Sequence, residues 1–344
     1  MFSSQIGSTT VIFSKFFASF DSEAVLSAIP KGTVRVIFID TPATPHLVAT
    51  IETLVSKGIV VVVRDHHDVP NPRNSREMEI AAAANRVREL CGVNALISNR
   101  QANPACSGLI QVGEFATEGT ILVADNDPDG LTAAMKASGL VYDGLDTDAA
   151  TLDGARSEQT AERLTPIALL LVKGLATLPP FDANRPQFSE DAKSKLFQEF
   201  VAAVSGEQTA LNSLNRKVEA YEASVQVAED IASEASELAP GVVMVNAVGK
   251  PRHDLTTLTQ RLESRPGCRV TVVRKDNGPI AAKHGGVQVS MAVVKAEQAK
   301  INLQELLPTG FVSSPDTGII SNTTFLLHVS EEVWKGTVLP ALKG

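Results

Sequence analysis

Aromatic rings are scarce in this sequence. There are one tryptophan and two tyrosines among 344 residues, and with Trp334 and Tyr142 far apart no platform of stacked rings for bases can be read. Cysteine is scarcer than a disulfide framework needs. Cys91, Cys106 and Cys268 are odd in number, widely spaced and form no CxxC pair, which argues against that framework and a zinc ribbon and favours small buried or surface thiols over a functional one. No apolar run approaches the roughly 20 residues that cross a bilayer. The opening "MFSSQIGSTTVIFSKFF" lacks a charged region followed by a cleavable apolar core. The expectation is a cytoplasmic chain with no membrane partner. A positive excess is missing too: a formal charge of −8 argues against a protein that coats nucleic acid through many phosphate contacts.

What is present is a globular composition, 44% hydrophobic and 20% charged, in a chain long enough for two cores. Before residue 185, short β-rich runs alternate with helical stretches: "TTVIF", "DSEAVLSAI", "TVRVIFI", "HLVATIETLVSKG", "IVVVV", "SREMEIAAAANRVREL", "TILVA" and "GLTAAMKASG". Continuous β-branched runs separated by helices predict an α/β fold with a parallel sheet covered on both faces. From "PQFSEDAKSKLFQEF" to "SEASELAP" a helix-favouring segment carries Leu211, Leu214, Val218, Tyr221 and Val225 on one apolar stripe, with Gly206 placed to interrupt it. The stripe suits a connector packed on its own domains. An oligomer formed through this helix would use the same face, although the pattern lasts barely two heptads. After Pro240 the apolar runs return in "GVVMVNAV", "CRVTVVRK", "GVQVSMAVV" and "TTFLLHVS". The division expected is residues 1–185, a helical linker over 186–240, and a smaller α/β domain over 241–344. Residues 241–344 hold 12 Lys+Arg against 8 Asp+Glu, leaving 19 against 31 before them. An acidic part rich in metal ligands joined to a mildly basic part suits an enzyme that holds divalent cations in one domain and an anionic substrate in the other.

Three predicted strands end in acidic groups: "VRVIFID" at Asp40, "IVVVVRDHHD" at Asp65 to Asp68, and "TILVADNDPDG" at Asp125, Asp127 and Asp129. In an open parallel sheet the carboxyl ends of neighbouring strands form the ligand crevice. If these strands are neighbours, six or more carboxylates converge there with His66 and His67, and cations must neutralise them. Carboxylate and imidazole together favour manganese or another first-row divalent ion over a structural zinc. Two such ions would form a clamp for hydrolysis at phosphorus, with magnesium as the alternative metal. Each piece has a plainer reading by itself. Asp40 before Thr41 and Pro42 could cap a helix or start a turn, and "DNDPDG" could be a solvated turn. A calcium-binding EF-hand loop is excluded, because its twelfth position would be Lys136 and the motif follows a strand.

"DHH" at Asp65 to His67, "DNDPDG" at Asp125 to Gly130 and the strand-end Asp40 resemble motifs III, I and II of the DHH phosphoesterase superfamily. That superfamily includes RecJ-type exonucleases, nanoRNases and manganese pyrophosphatases, and the D-x-D-x-D-G form is most similar to its RecJ-like branch. A second small domain beyond a helical linker resembles the DHHA1 arrangement, so the resemblance covers most of the chain. One departure stands out: here D-x-D-x-D-G follows DHH by about sixty residues instead of preceding it, which suggests a circular permutation. "TTVIFSKFFASF" would then be the strand that normally follows motif I.

The resemblance implies that Asp40 bridges two metals and that His66, Asp125, Asp127 and Asp129 complete their shells. It implies that Asp65 orients or ligates and that His67 faces the substrate phosphate. Asp148 is the preferred fourth-motif aspartate, with Asp153 and Asp146 behind it. A substrate loop is expected in the C-terminal domain. His284, Gly285 and Gly286 of "KHGGVQVSMAV" are its candidates, with a tight turn as the plainer reading, and "PTGFVSSPDTG" is another stretch to consider. Arg274, with Arg252, Arg269 and Lys275, is a candidate phosphate contact or else a solvated surface charge. The implied activity is a metal-dependent phosphodiesterase or exonuclease acting on single-stranded DNA or RNA or short oligonucleotides. The alternatives are a small-molecule phosphatase for cyclic dinucleotides, pAp or pyrophosphate, and a catalytically degenerate binding protein of the same fold.

Overall fold

A computed structural model describes residues 1–14, 20–152, 163–179, 186–276, 286–306, 318–320 and 323–343. They fall into two units, Met1–Leu175 with Glu190–Lys217, and Ala176–Ser189 with Val218–Gly344.

The first unit alternates strand and helix as its sequence predicts: β1 (Phe2–Ile6), β2 (Thr9–Ser14), α1 (Ser22–Ala28), β3 (Arg35–Ile39), α2 (Pro45–Ser56), β4 (Val60–Asp65), α3 (Ser75–Cys91), β5 (Ala95–Ile97), β6 (Thr120–Asp125), α4 (Pro128–Ala137) and α5 (Leu145–Leu152). The strands order as β1-β2-β6-β3-β4-β5, and every pair is parallel except β1 with β2. The fold is therefore α/β with a largely parallel sheet. Ile12, Val36, Phe38, Val61, Val63, Ile121 and Val123 pack one face against Val25, Leu47, Ile51 and Val87 of α1 to α3. Alternate residues such as Ile37, Ile39, Leu122 and Ala124 turn to the other face, where α4 lies on β6 and β3. Both faces are apolar, so polar chemistry is left to the strand ends.

β6 is the last of this sheet's strands along the chain yet sits between β2 and β3, with Ala124 level with Ile39 and Asp125 level with Ser14. Ile39 is in turn level with Arg64. The carboxyl ends of β6, β3 and β4 are thus side by side.

The helix-favouring segment forms α7 (Pro186–Val204) and α8 (Gln208–Ser233), after α6 (Pro166–Ala176), with a turn at Gly206 between them. Of the predicted stripe only Leu214 is fully buried; Leu211, Val218, Tyr221 and Val225 are half-buried. "SELA", expected at the helix end, is instead β7 (Ser236–Ala239), held by antiparallel pairing to β8 (Val242–Ala247). In the second unit β9 (Val270–Asp276), β10 (Gly286–Val293), β11 (Gly318–Ile320) and β12 (Thr324–Ser330) complete a sheet of order β11-β12-β10-β9-β8-β7. Only β8 and β9 in this sheet are parallel. Ala228 and Ile231 of α8 and Leu258 and Leu262 of α9 (Leu255–Glu263) cover one face, and Trp334, Val338 and Leu342 cover the other. No helix among the described residues is long and apolar enough to cross a membrane.

Candidate metal centre

Asp40 follows β3 directly, is 1% exposed, and has φ +57°, the only positive φ outside glycine among the described residues. A left-handed aspartate costs about 1–2 kcal/mol. Its amide donates to the Arg64 carbonyl at 2.9 Å, which fixes the turn. Neither carboxylate oxygen accepts a hydrogen bond, although both are buried.

β4 delivers the next group. In "RDHHD" the outer charges are structural: Arg64 pairs with Glu114 at 2.6 Å and Asp68 with Arg88 at 2.5 Å. The inner three face the rim. Asp65 Oδ1 lies 2.8 Å from His67 Nδ1, and Asp65 Oδ2 accepts from the His67 amide at 3.1 Å. Both oxygens of Asp65 are thus engaged with His67. His66 Nδ1 sits 3.0 Å from the Asn103 carbonyl, which can only accept, so Nδ1 donates to it and Nε2 is the ring atom left to bind a metal ion when it carries no proton. That Nε2 is fully buried, 3.1 Å from Asp40 Oδ1 and 3.4 Å from Asp129 Oδ2. A lone pair facing two carboxylates is repulsive without a proton or a metal ion between them.

β6 and α4 account for "DNDPDG" position by position. Asp125 ends the strand. Asp127 is the N-cap of α4, its Oδ1 accepting from the Gly130 amide at 2.7 Å, and Pro128 opens the first turn. Asp129, 1% exposed, lies in that turn and points back to His66. Gly130 is required because a Cβ there would overlap the Asp125 carbonyl.

Electrostatics join these pieces. Burial pushes Asp125 up to about 8, with the charges of Asp127 and Asp40 adding to it. Burial likewise raises Asp65, against the pull of His67. Burial lowers His67, but the bond and charge of Asp65 and the charge of Asp40 outweigh it and bring the ring to about 9. His66 is also raised, the Asp40 contact outweighing burial. The charge of Asp40 acts on all four groups. Oxygen and nitrogen atoms of Asp40, His66 and His67 lie within 4.8 Å of one another, a spacing suited to one ion. Orphaned carboxylate oxygens, a buried imidazole nitrogen and further carboxylates on the adjoining strand fit a divalent metal.

Other expected site residues lie elsewhere. Asp148 is buried, and its oxygens accept from the Thr165 amide at 2.9 Å and the Thr165 hydroxyl at 2.5 Å, so it holds the start of α6 and leaves our ligand set. Asp146 pairs with Lys136 at 2.7 Å. Arg274 pairs with Glu331 and bonds Asn246 Oδ1 at 3.1 Å, so its guanidinium is committed within the second unit. Gly286 opens β10, where a Cβ would overlap the Val329 carbonyl; the glycine has a packing reason. Asp153, His284, Gly285 and residues 308–317 of "PTGFVSSPDTG" lie outside the described residues.

The loop "SNRQANPAC", residues 98–106, escaped the sequence reading. The Ser98 amide donates to the Asp65 carbonyl and the Asp68 amide to the Ser98 carbonyl, both at 2.8 Å, so the loop is laced to the DHH turn. Asn103 sets the His66 tautomer. Cys106 is fully buried beside Asp129 and Arg64, its thiol pushed up by burial and then by the charges of Asp40, Asp129 and Asp65, so it remains a neutral packing group. Asn and Pro mark such a stretch as a loop, but contacts made by its backbone have no side-chain signature.

No family model matches the chain, and no curated protein matches it. Among solved structures it is similar to a pGpG-specific phosphodiesterase from Vibrio cholerae, with 11% identity and a TM-score of 0.40 over 89% of this chain and 95% of that one. It is also similar to a DHH domain from a family of ribosomal proteins, with 11% identity and a TM-score of 0.36 over 89% of this chain and 68% of that one. Likeness this distant assigns no activity.

Proposed function

We propose that this protein is a divalent-metal-dependent phosphoester hydrolase of the DHH type, acting on single-stranded nucleic acid or short oligonucleotides. The observation that carries the reading is the buried pairing of Asp40, with no hydrogen bond to its oxygens, and His66 Nε2, on strands flanked by a third acidic strand end. We take the metals to be two, manganese before magnesium, and Asp40 and His66 would be among the residues that hold them. Asp129 and Asp125 complete the donor set. Divalent ions supply Lewis-acid polarisation of a phosphoryl oxygen and a more acidic water. The protein's own part is positional: Asn103 holds His66 in the ligating tautomer, and Asp65 holds His67 at the mouth of the site. The reversed motif order is read as a permutation, supported by β6 completing the sheet between β2 and β3 although it is the last of that sheet's strands along the chain.

A second reading, a phosphatase of cyclic dinucleotides, pAp or pyrophosphate, is favoured by the commitment of Arg274 to Glu331, which removes one expected contact for a long strand. Hydrolysis of short DNA and RNA and of these small molecules should be compared with Mn2+ present. Turnover by the unaltered chain, lost in Asp40→Ala and His66→Ala, is the expected result, and the best substrate separates the two readings. Turnover no greater than in these variants on every substrate would overturn both.

A further inference from the structure

Arg100 lies in loop 98–106, exposed, with Nη2 2.9 Å from His67 Nε2. A guanidinium can only donate, so in the neutral form of the ring His67 Nε2 accepts from Arg100 and Nδ1–H donates to Asp65 Oδ1 at 2.8 Å. A chain of three groups therefore runs outward from the metal centre: Asp65 at 1% exposure, His67 at 10% for its side chain, and Arg100 in solvent. An aspartate at the inner end and a guanidinium at the outer end are thus bridged by the two ring nitrogens of His67. Loop 98–106 is anchored on both sides of Arg100, by the Ser98 and Asp68 backbone bonds and by Asn99 Oδ1 accepting from the Gln101 and Ala102 amides at 3.0 and 3.1 Å. The guanidinium thus stands on a fixed loop at the mouth of a site rich in carboxylates.

Resting on the phosphoesterase reading, we propose that Arg100 is the phosphate-gripping residue of this centre, donating to a non-bridging oxygen of the substrate phosphate while His67 keeps its fork in register. Three observations favour that role over simple neutralisation. The guanidinium is held by the ring of His67; Asp65 lies beyond that ring; and a planar fork of five donors matches phosphate geometry. Among the described groups in contact with His67, Arg100 is the one that is both cationic and exposed.

The test uses the full chain loaded with Mn2+ and takes inorganic phosphate as the probe, with binding read by calorimetry. Arg100→Ala should weaken phosphate binding by about 10- to 100-fold, the loss expected of a charge-assisted hydrogen bond. Mn2+ affinity should stay within about twofold, since Asp40, His66, Asp125 and Asp129 are not touched. Arg100→Lys should recover part of the loss by restoring charge without the fork. On whichever phosphoester is turned over, Arg100→Ala should raise KM more than it lowers kcat. Unchanged phosphate affinity in Arg100→Ala with Mn2+ binding intact overturns this inference and leaves the metal reading standing. Failure of the unaltered chain to bind Mn2+ overturns the metal reading and this inference together.

Discussion

In the second unit the guanidinium of Arg274 is held by Glu331, by Asn246 and over the face of Trp334 at 5.9 Å, so the charge entering that sheet is matched by protein groups. In the first unit Asp40, Asp65, Asp125 and Asp129 gather at a sheet end beside His66 and His67. One sheet is largely parallel and the other largely antiparallel, and their charges are met in opposite ways. A charge cluster whose members are paired adds to stability and asks for nothing further. One made of like charges is strained until something from outside completes it. The comparison locates function by imbalance: the deficit of positive charge marks where a ligand belongs.

The largest expected effect separates those roles at one residue. Asp40→Asn, which the left-handed backbone tolerates, should abolish hydrolysis, a loss of at least about 10³-fold as several kcal/mol of transition-state stabilisation disappear. The same change should raise the metal-free melting temperature at pH 8, because a buried anion with no hydrogen bond is removed. A fall in metal-free stability would show that Asp40 is matched by the protein after all. Gly130→Ala should cost about 2–3 kcal/mol in denaturant unfolding and also weaken Mn2+ binding, since relieving the overlap with Asp125 moves a proposed ligand. Asp148→Ala should cost about 1–3 kcal/mol by leaving the Thr165 amide and hydroxyl without their acceptor, with Mn2+ affinity unchanged. A large loss of Mn2+ affinity there would return Asp148 to the ligand set.

pH sharpens the contrast further. Asp125 is raised to about 8 in the fold, so ionising it costs stability that accrues as pH climbs from the ordinary carboxylate range. His67 is raised to about 9, so its stabilising contribution is complete below about 6.5 and lost as pH rises toward 9. Both make the metal-free protein less stable with rising pH, and deprotonation of Asp125 frees proposed metal-binding atoms. The increase in melting temperature caused by Mn2+ should therefore grow from pH 6 to pH 9; a constant or shrinking increase contradicts the site. The smallest effect belongs to the second unit. Glu331→Gln breaks a half-exposed pair, should cost about 1 kcal/mol or less, and should leave Mn2+ binding untouched.

Much of the first unit was legible in the sequence because strands buried on both faces must be continuously apolar, and the runs ending at Asp40, Asp65 and Asp125 are unmistakable in that respect. β1 was not legible: its alternating "FSSQI" has weak apolar content and forms by pairing with β2. β7 was read as helix because "SELA" has helical propensity, which pairing with β8 overrides. At the site, Asp65, His66 and His67 could be named from their strand-end position. For Asp148 the letters cannot separate a buried aspartate that ties down a helix start, as its Thr165 contacts do, from one that binds metal. Arg100 and Asn103 were passed over because nothing in "SNRQANPAC" tells that its backbone folds onto a turn about thirty residues earlier.

By itself, the sequence determined which segments are strands and which side chains end them, since periodicity and β-branching act over a few residues. Only the tertiary structure decided that β6 inserts between β2 and β3, that His66 presents Nε2 to Asp40, and that Arg100 reaches His67. Those facts depend on strand order and on hydrogen bonds between segments far apart in the chain. Such bonds arise when the whole sheet closes, and no local pattern of residues encodes them.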